Sequence, residues 1–330
     1  MIDGQLSKKR VLTLGADPEM FVFSGVKLIP AYEFLSPKET GATQFWDGFQ
    51  AEWKYDHRGT HCQNNLVMYT RENLMALDAK AKVYNPNARL TLANVVRVPQ
   101  VTLNTARPEH VELGCQSSYN VYRMKGKPEY DPRKLQYRFA GGHMHFGTWT
   151  NARPCYEKIV KTLDSILGVW AVGVARDMDN PVRRQYYGLA GEFRKPKYEG
   201  GYGVEYRTLS NFWLASPAIM QLTWDIGRMC VRLGASRYGK LWAGNEQETI
   251  ETINNCDVPQ AEKILKRNAL MLRWILKQVY KTEGARMDAL LLAQQGLHRE
   301  VENPEDFKTN WHFDDQWIPN AGQPWARFEV

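Results

Sequence analysis

Strand-like and helix-like stretches follow one another along this chain without regular alternation, and that order limits the folds it can adopt. Short apolar runs at residues 11–14, 20–23 and 90–101 are typical of strands. Residues 137–146 predict a further strand that is broken by two consecutive glycines. The first half of the sequence therefore predicts strands joined by loops.

Helical spacing dominates the second half. Apolar side chains recur on one helical face after Pro154, and a capped helix is predicted over 218–233. A third helix is predicted over 260–282 and a shorter one over 72–84. Strands mixed with long helices, without a strand–helix–strand repeat, predict an α+β fold with an antiparallel or mixed sheet backed by helices. The aromatic tail after Pro304 is expected to pack across this body.

Composition excludes several classes of protein. The 330 residues are 43% hydrophobic and 24% charged, which excludes a disordered chain. Five scattered cysteines without a CxxC pair argue against a disulfide framework or a zinc knuckle and favour a reducing cytoplasm. The longest apolar stretch, 166–175, is too short to cross a bilayer, so no membrane partner is expected. The net charge of +7 fits a polyanionic small substrate, a nucleic acid or plain solubility.

Reactive side chains recur at the two-residue period of a strand. Asp17 and Glu19 flank Pro18, and His143 and His145 follow the paired glycines. Residues two apart on a strand point to the same face, so each pair could hold a divalent cation or contact phosphate. The plain alternatives are a surface turn with two solvated acids and a pair of inert, hydrogen-bonded histidines. Because Pro18 removes a ladder donor, it predicts an edge, a bulge or a strand end.

Two later segments add acids and cations. Glu205 and Arg207 share a strand face. This spacing fits either a metal ligand beside a phosphate-binding guanidinium group or an ordinary salt bridge. Residues 183–195 combine arginines with glycines, which is typical of a phosphate-handling loop or of a solvated basic one. Residues 234–240 have P-loop spacing, but they lack the following Ser or Thr and the preceding strand, so a P-loop is rejected. Acids, histidines and arginines at strand period together indicate two metals and a nucleoside triphosphate.

The order of these motifs resembles the glutamine synthetase-like carboxylate–amine ligases, and more narrowly the type 2 carboxylate–amine ligases of tailed phages. The resemblance rests on residues 15–21, 47–52, 141–145, 187–194 and 203–207. It implies a curved, mostly antiparallel sheet with helices on its convex side. It also implies a catalytic domain over 1–235 and a helical extension over 236–330, packed on the same body.

The resemblance also implies a reaction and its participants. ATP would phosphorylate a carboxylate, an amine would attack the acyl phosphate, and an amide, ADP and phosphate would result, with two or three Mg²⁺ or Mn²⁺ ions bound. The acid and the amine would be small molecules or peptides, with nucleic acid only as a target of modification. A homo-oligomer and a location in the host cytoplasm are further expectations.

Roles for individual residues follow from the same resemblance. The implied metal ligands are Asp17, Glu19, Glu52, His143 and Glu205. The implied phosphate contacts are His145, Arg194 and Arg207, and the implied catalytic arginines are Arg184, Arg194 and Arg207, with Arg183 able to replace Arg184. The acidic partner of Glu52 is left open between Asp47 and Asp56.

Three other functions fit the same residues. A guanidino-kinase-like phosphotransferase would transfer phosphate and stop, without forming an amide. A metal-dependent hydrolase built on His143 and His145 would not need ATP. A nucleic-acid-binding protein could keep the fold without catalysis, and the positive charge is its only support.

Overall fold

The computed structural model describes residues 12–55, 63–112, 118–122, 131–149, 153–198, 201–240, 245–279 and 307–313. Within these ranges the chain is an α+β protein, as predicted, and every strand pair is antiparallel. None of the helices in these ranges is both long enough and apolar enough to cross a membrane.

Twelve strands are described in these ranges. They are β1 Thr13–Ser24, β2 Lys27–Ile29, β3 Gln44–Asp47, β4 Gln50–Trp53, β5 Ala88–Thr91, β6 Val95–Arg97, β7 Tyr119–Asn120, β8 Tyr137–Phe139, β9 Gly142–Trp149, β10 Glu192–Arg194, β11 Lys197–Tyr198 and β12 Gly201–Tyr206. The main sheet has the order β3-β4-β1-β9-β12-β10-β7, with β2 and β5 also on β1 and β11 on β12. Strands β6 and β8 form a separate pair.

Helices make up most of the remaining described chain. They are α1 Gln63–Tyr84, α2 Gln100–Thr105, α3 Pro108–Val111, α4 Tyr156–Thr162, α5 Val169–Ala175, α6 Pro181–Tyr186, α7 Pro217–Ala235, α8 Glu246–Asn254, α9 Val258–Val279 and α10 Phe307–Asn310. A π-helical segment, Leu163–Gly168, joins α4 to α5, and short 3-10 helices include Lys38–Thr40 and Asn211–Ala215.

The long central strand β1 differs from the sequence prediction at Pro18. Pro18 was expected at an edge, a bulge or a strand end, but β1 runs through it in the interior of the sheet. Pro18 lies where the partner strand changes, since it is the last residue paired with β9 and Glu19 is the first paired with β4. The ladder continues around the missing donor because Tyr55 N–H donates to Ala16 O at 3.0 Å and Glu19 N–H donates to Gly141 O at 2.9 Å.

Two other strand predictions had different outcomes. The break at the paired glycines is confirmed, since β8 ends at Phe139 and β9 begins at Gly142. The single strand over 90–101 is wrong, because this stretch divides into β5 and β6, and Pro99 then precedes α2. Proline fixes its own φ and lacks a donor, which suits the position before a helix better than a ladder.

The helix predictions are confirmed with shifted ends. Ser216 caps α7 by accepting a hydrogen bond from Ile219 N–H at 3.2 Å, as its sequence predicted. Helix α1 begins earlier than the predicted 72–84, and residues 280–282 of the third helix lie outside the described residues. Of the aromatic tail, 307–313 packs on the body, where buried Trp311 donates from Nε1 to Leu214 O at 2.6 Å.

Alternation along the strands separates a helical core from the opposite face. On β9, Met144 and Phe146 lie in the apolar core with side chains of α4, α5 and α7. His143 and His145 therefore lie on the other face, because side chains of a strand alternate. Helices α8 and α9 pack on α5. The division at residue 235 and the glutamine synthetase-like curvature stay predictions.

Candidate active site

A cleft of about 470 Å³, open solvent included, lies on the face of the sheet opposite the helical core. Its walls combine acids, cations and aromatic rings from separate segments of the chain. They are formed by Asp17, Glu19, Lys38, Asp47, Gln50, Glu52, Phe139, His143, Tyr187, Arg194 and Arg207. The structure thus brings six of the nine residues predicted from sequence into one cavity wall, while His145, Glu205 and Arg184 are not part of that wall.

Asp17, His145 and Glu205 form the first cluster of donor atoms. One ligand atom from each side chain lies within 4.8 Å of the others, and His145 Nε2 is 3.2 Å from Asp17 Oδ1. The register explains this proximity, because β9 lies between β1 and β12 and Glu205 is the cross-strand partner of His145. Two carboxylates and an imidazole suit a divalent cation.

His143 lies beside this cluster and uses its two nitrogens differently. Its Nδ1 is 3.1 Å from Asp17 Oδ1 and 3.9 Å from Glu205 Oε1, while its Nε2 bonds the Tyr187 hydroxyl. A metal ion could reach this ring only through Nδ1. The cluster of three donors contains His145, whereas the sequence resemblance implied a metal at His143 and a phosphate at His145; both roles stay predictions.

Glu19, Asp47 and Glu52 form the second cluster. Glu19 and Glu52 are direct partners across β1 and β4, and Asp47 comes from β3, the strand beyond β4. Their oxygens lie within 4.8 Å of one another, and the Glu19 and Glu52 side chains are buried. The structure therefore places Asp47 beside Glu52, while the other candidate, Asp56, lies outside the described residues.

Crowding in the second cluster raises the pKa values of its acids. Burial raises the pKa of Glu19, and Asp47 adds to the rise, to about 8. Burial, with Asp17 and Glu19, raises the pKa of Glu52 well above its usual value, and burial also raises that of Asp47. Such acids release their protons less readily than free carboxyl groups do, and a bound cation would favour their ionised forms.

In the first cluster, the pKa of Asp17 shifts in the opposite direction. Burial disfavours the ionised form of Asp17, but His145 and His143 outweigh it and hold the pKa well below its usual range. Burial and the charge of Arg207 lower the pKa of His143 to about 4. The His143 ring is therefore neutral near pH 7, the form that binds metals.

Arg194 and Arg207 both form ion pairs with Glu205. Arg194 Nη1 lies 3.3 Å from Glu205 Oε1, and Arg207 donates to that oxygen as well. Arg207 is almost fully buried, and its Nε donor has no hydrogen-bond partner among the described residues. An anion in the cleft would supply the missing acceptor.

The structure does not bring Arg184 or Arg183 to the cavity wall. Arg184 donates to the Asp179 carboxylate and to the carbonyls of Gly188 and Thr208, and it is buried. Arg183 donates to Leu209 O at 2.6 Å and to Thr208 O at 3.1 Å. These contacts hold the chain together behind the cleft, so the catalytic role of Arg184 stays a prediction without geometric support.

Gly141 is required by the close approach of two site residues. A Cβ at this position would lie 2.6 Å from the Tyr187 hydroxyl and 2.8 Å from His143 Nε2. Such distances exclude any side chain unless the Tyr187–His143 contact moves. Gly141, the first of the paired glycines, therefore leaves room for this contact.

Tyr187 and Lys38 line the cleft, although the motifs in the sequence assign them no role. Tyr187 was part of a recognised stretch but had no role, and its contact with His143 spans 44 residues of sequence. Lys38 lies in a short 3-10 helix before β3, so the two-residue spacing of a strand does not identify it. Only the folded chain brings its Nζ to within 4.0 Å of Glu52 Oε1.

The cleft thus combines acidic donor atoms that suit a cation with two arginines, one of them buried, that suit an anion. Residues 133–313 match the protein family described as Phage phiEco32-like COOH.NH2 ligase-type 2. The match spans more than half of the chain, and the chain belongs to this family of carboxylate–amine ligases, as its motifs predicted. No curated protein and no solved structure matches the chain.

Proposed function

We propose that the chain is an ATP-dependent carboxylate–amine ligase that works through an acyl phosphate. The observation that carries this proposal is that two parts of the chain, distant in sequence, line the same cleft. His143, Arg194 and Arg207 belong to the segment that matches the ligase family, whereas Asp17 and the second acidic cluster precede it. One cleft then offers both cation ligands and anion donors, which a metal–nucleotide complex requires.

The donor atoms fit divalent cations. Asp17, His145 and Glu205 would hold one Mg²⁺ or Mn²⁺ ion, and Glu19, Asp47 and Glu52 another. Bound there, such ions would neutralise phosphate oxygens and polarise the bond to be broken. The raised pKa values of Glu19 and Glu52 fit this role, because buried, crowded acids gain most from a cation.

The reaction needs two anions to approach each other. A carboxylate oxygen attacks the terminal phosphorus of ATP, the bond from that phosphorus to the ADP oxygen breaks, and an acyl phosphate forms. Arg194 and Arg207 would oppose the negative charge that gathers on the transferred group. A neutral amine then attacks the acyl carbon, phosphate leaves, and loss of a proton from nitrogen completes the amide.

Small-molecule or peptide acids and amines are the proposed substrates, and a nucleic acid would take part only as a target of modification. We also propose the host cytoplasm as the site of action. The geometry gives less support to a hydrolase built on the two histidines, because Tyr187 occupies His143 Nε2. A phosphotransferase would produce no amide.

A screen of acid–amine pairs with ATP and Mg²⁺ tests the proposal. The expected result is release of free phosphate together with a product whose mass equals acid plus amine minus water. Glu205→Ala should abolish this turnover and leave the circular dichroism spectrum unchanged, whereas exposed Glu39→Ala should retain it. Phosphate transfer to a guanidino or other acceptor without amide formation would refute ligation, and so would full activity of Glu205→Ala.

A further inference from the structure

Two lysine amines meet at one end of the cleft. Lys38 Nζ lies 5.2 Å and Lys54 Nζ 5.5 Å from the centre of the Phe45 ring, so both amines contact the same ring. Both side chains are exposed to solvent, and Lys38 lines the cavity. The two positive groups therefore converge over one aromatic ring instead of separating into solvent.

Strand geometry places this lysine pair beside the second acidic cluster. Lys54 follows Glu52 by two residues, and Phe45 is the cross-strand partner of Glu52 on β3. The pair therefore projects from the face of the sheet that carries the acids. It lies at the β3–β4 side, whereas Arg194 and Arg207 come from the β10–β12 side, with β1 and β9 between them.

The pair lacks an adequate acceptor among the described residues. A charged lysine amine has three donors and no acceptor, so two such amines repel each other and cannot satisfy each other. Glu52 Oε1, the carboxylate oxygen that pairs with Lys38 among the described residues, is 4.0 Å from Lys38 Nζ, beyond hydrogen-bond distance. A carboxylate has two oxygens and can accept from both amines at once.

We propose that Lys38 and Lys54 bind a carboxylate of the acid substrate. The inference rests on the proposed ligase function, because the arginines at the other side would hold the phosphates and the acid is the remaining anionic reactant. It gives the cleft two anion subsites, one at each side of the acidic clusters. The lysine pair would then favour substrates with a carboxylate over neutral analogues of the same shape.

Lysine acetylation read by mass spectrometry tests the subsite without any turnover. The full chain is labelled alone, with excess glutarate as a dicarboxylate probe, and with Mg–ADP, and exposed Lys27 on β2 is the internal control. Glutarate should slow labelling of Lys38 and Lys54 but not of Lys27, and Mg–ADP should not protect the pair. Protection by Mg–ADP alone would make the lysines nucleotide contacts and overturn the proposal, as would protection by neither.

Kinetics give a second test with the acid that the substrate screen identifies. Lys38→Met or Lys54→Met should raise the KM for that acid about tenfold and change the KM for ATP by less than about twofold, since each variant removes one charge-assisted hydrogen bond. The matched control is Lys27→Met, with wild-type constants. An equal rise in the KM values for the acid and for ATP would overturn the proposal. If no acid–amine pair consumes ATP while glutarate still protects both lysines, the ligase function fails and the anion subsite stands.

Discussion

Replacing Glu19 by Gln is expected to stabilise the metal-free protein. Glu19 is 6% exposed, and it faces Glu52 across β1 and β4 with Asp47 close by. Burial and Asp47 raise its pKa from 4.5 to about 8. Glutamine keeps the shape and can still accept the hydrogen bond that Gly141 N–H donates to Glu19 at 2.6 Å, but it carries no proton to lose.

The size of the effect follows from the raised pKa. The folded chain keeps a proton on Glu19 that the unfolded chain releases near pH 4.5, so stability from this group is complete below that pH and is lost as pH rises toward 8. At about 1.4 kcal/mol per pH unit, the loss is about 3 kcal/mol at pH 7 and at most about 5 kcal/mol above pH 8. Glu19→Gln should recover that amount and show a difference below about 1 kcal/mol at pH 5.

Urea unfolding in EDTA at pH 5, 6, 7 and 8 measures this difference, with exposed Glu39→Gln as the control that should follow the wild type. Adding Mg²⁺ at pH 8 should stabilise the wild type more than Glu19→Gln, because the variant has lost one ligand. A Glu19→Gln protein that is less stable than the wild type at pH 8, or a difference independent of pH, would refute the assigned protonation state.

Three further substitutions test the cleft. Arg207→Lys keeps the charge but loses the planar fork, and turnover measured by phosphate release should fall roughly 100-fold; a wild-type rate would leave Arg207 as an ordinary salt bridge. Tyr187→Phe removes the hydroxyl that bonds His143 Nε2, and Mn²⁺ affinity measured by titration calorimetry should fall about tenfold with unchanged thermal unfolding; unchanged affinity would argue against a positioning role. Gly141→Ala should lower the free energy of unfolding in urea by about 1–3 kcal/mol, because its Cβ would meet the Tyr187 hydroxyl; a wild-type midpoint would show that this contact moves freely.

Local periodicity predicted those features of the site that depend on one strand at a time. The two-residue spacing of His143 and His145 sufficed to place both on one face of β9, because alternation is a property of any strand. The prediction at Pro18 was wrong, because β1 changes its partner from β9 to β4 at this residue. Both partner strands are far from Pro18 in sequence, so the local pattern does not show the change. Which strands are neighbours, and in which register, is set by packing of the whole sheet.

Arg183 and Arg184 show a second limit. Adjacent arginines in a glycine-rich stretch suit a phosphate loop as well as a structural role, and their sequence does not separate the two. In the fold, α6 turns both side chains toward Asp179 and toward the carbonyls of Thr208 and Leu209. Most of these partners lie on a segment that follows the arginines in sequence, so only the tertiary contacts show that both side chains lie behind the cleft.

The charges of the cleft point to a ligand that carries both signs. Glu19, Asp47 and Glu52 crowd three acids, and burial raises the pKa values of all three, so this cluster favours a cation. Arg207 is already bonded to Glu205 and still keeps an unused buried donor, so the other side of the cleft favours an anion. A free cation would leave the unused arginine donor without an acceptor, and a free anion would leave the acids crowded. A polyanion that carries its own divalent cation satisfies both groups together, which is why a metal–nucleotide complex fits this site better than either component alone.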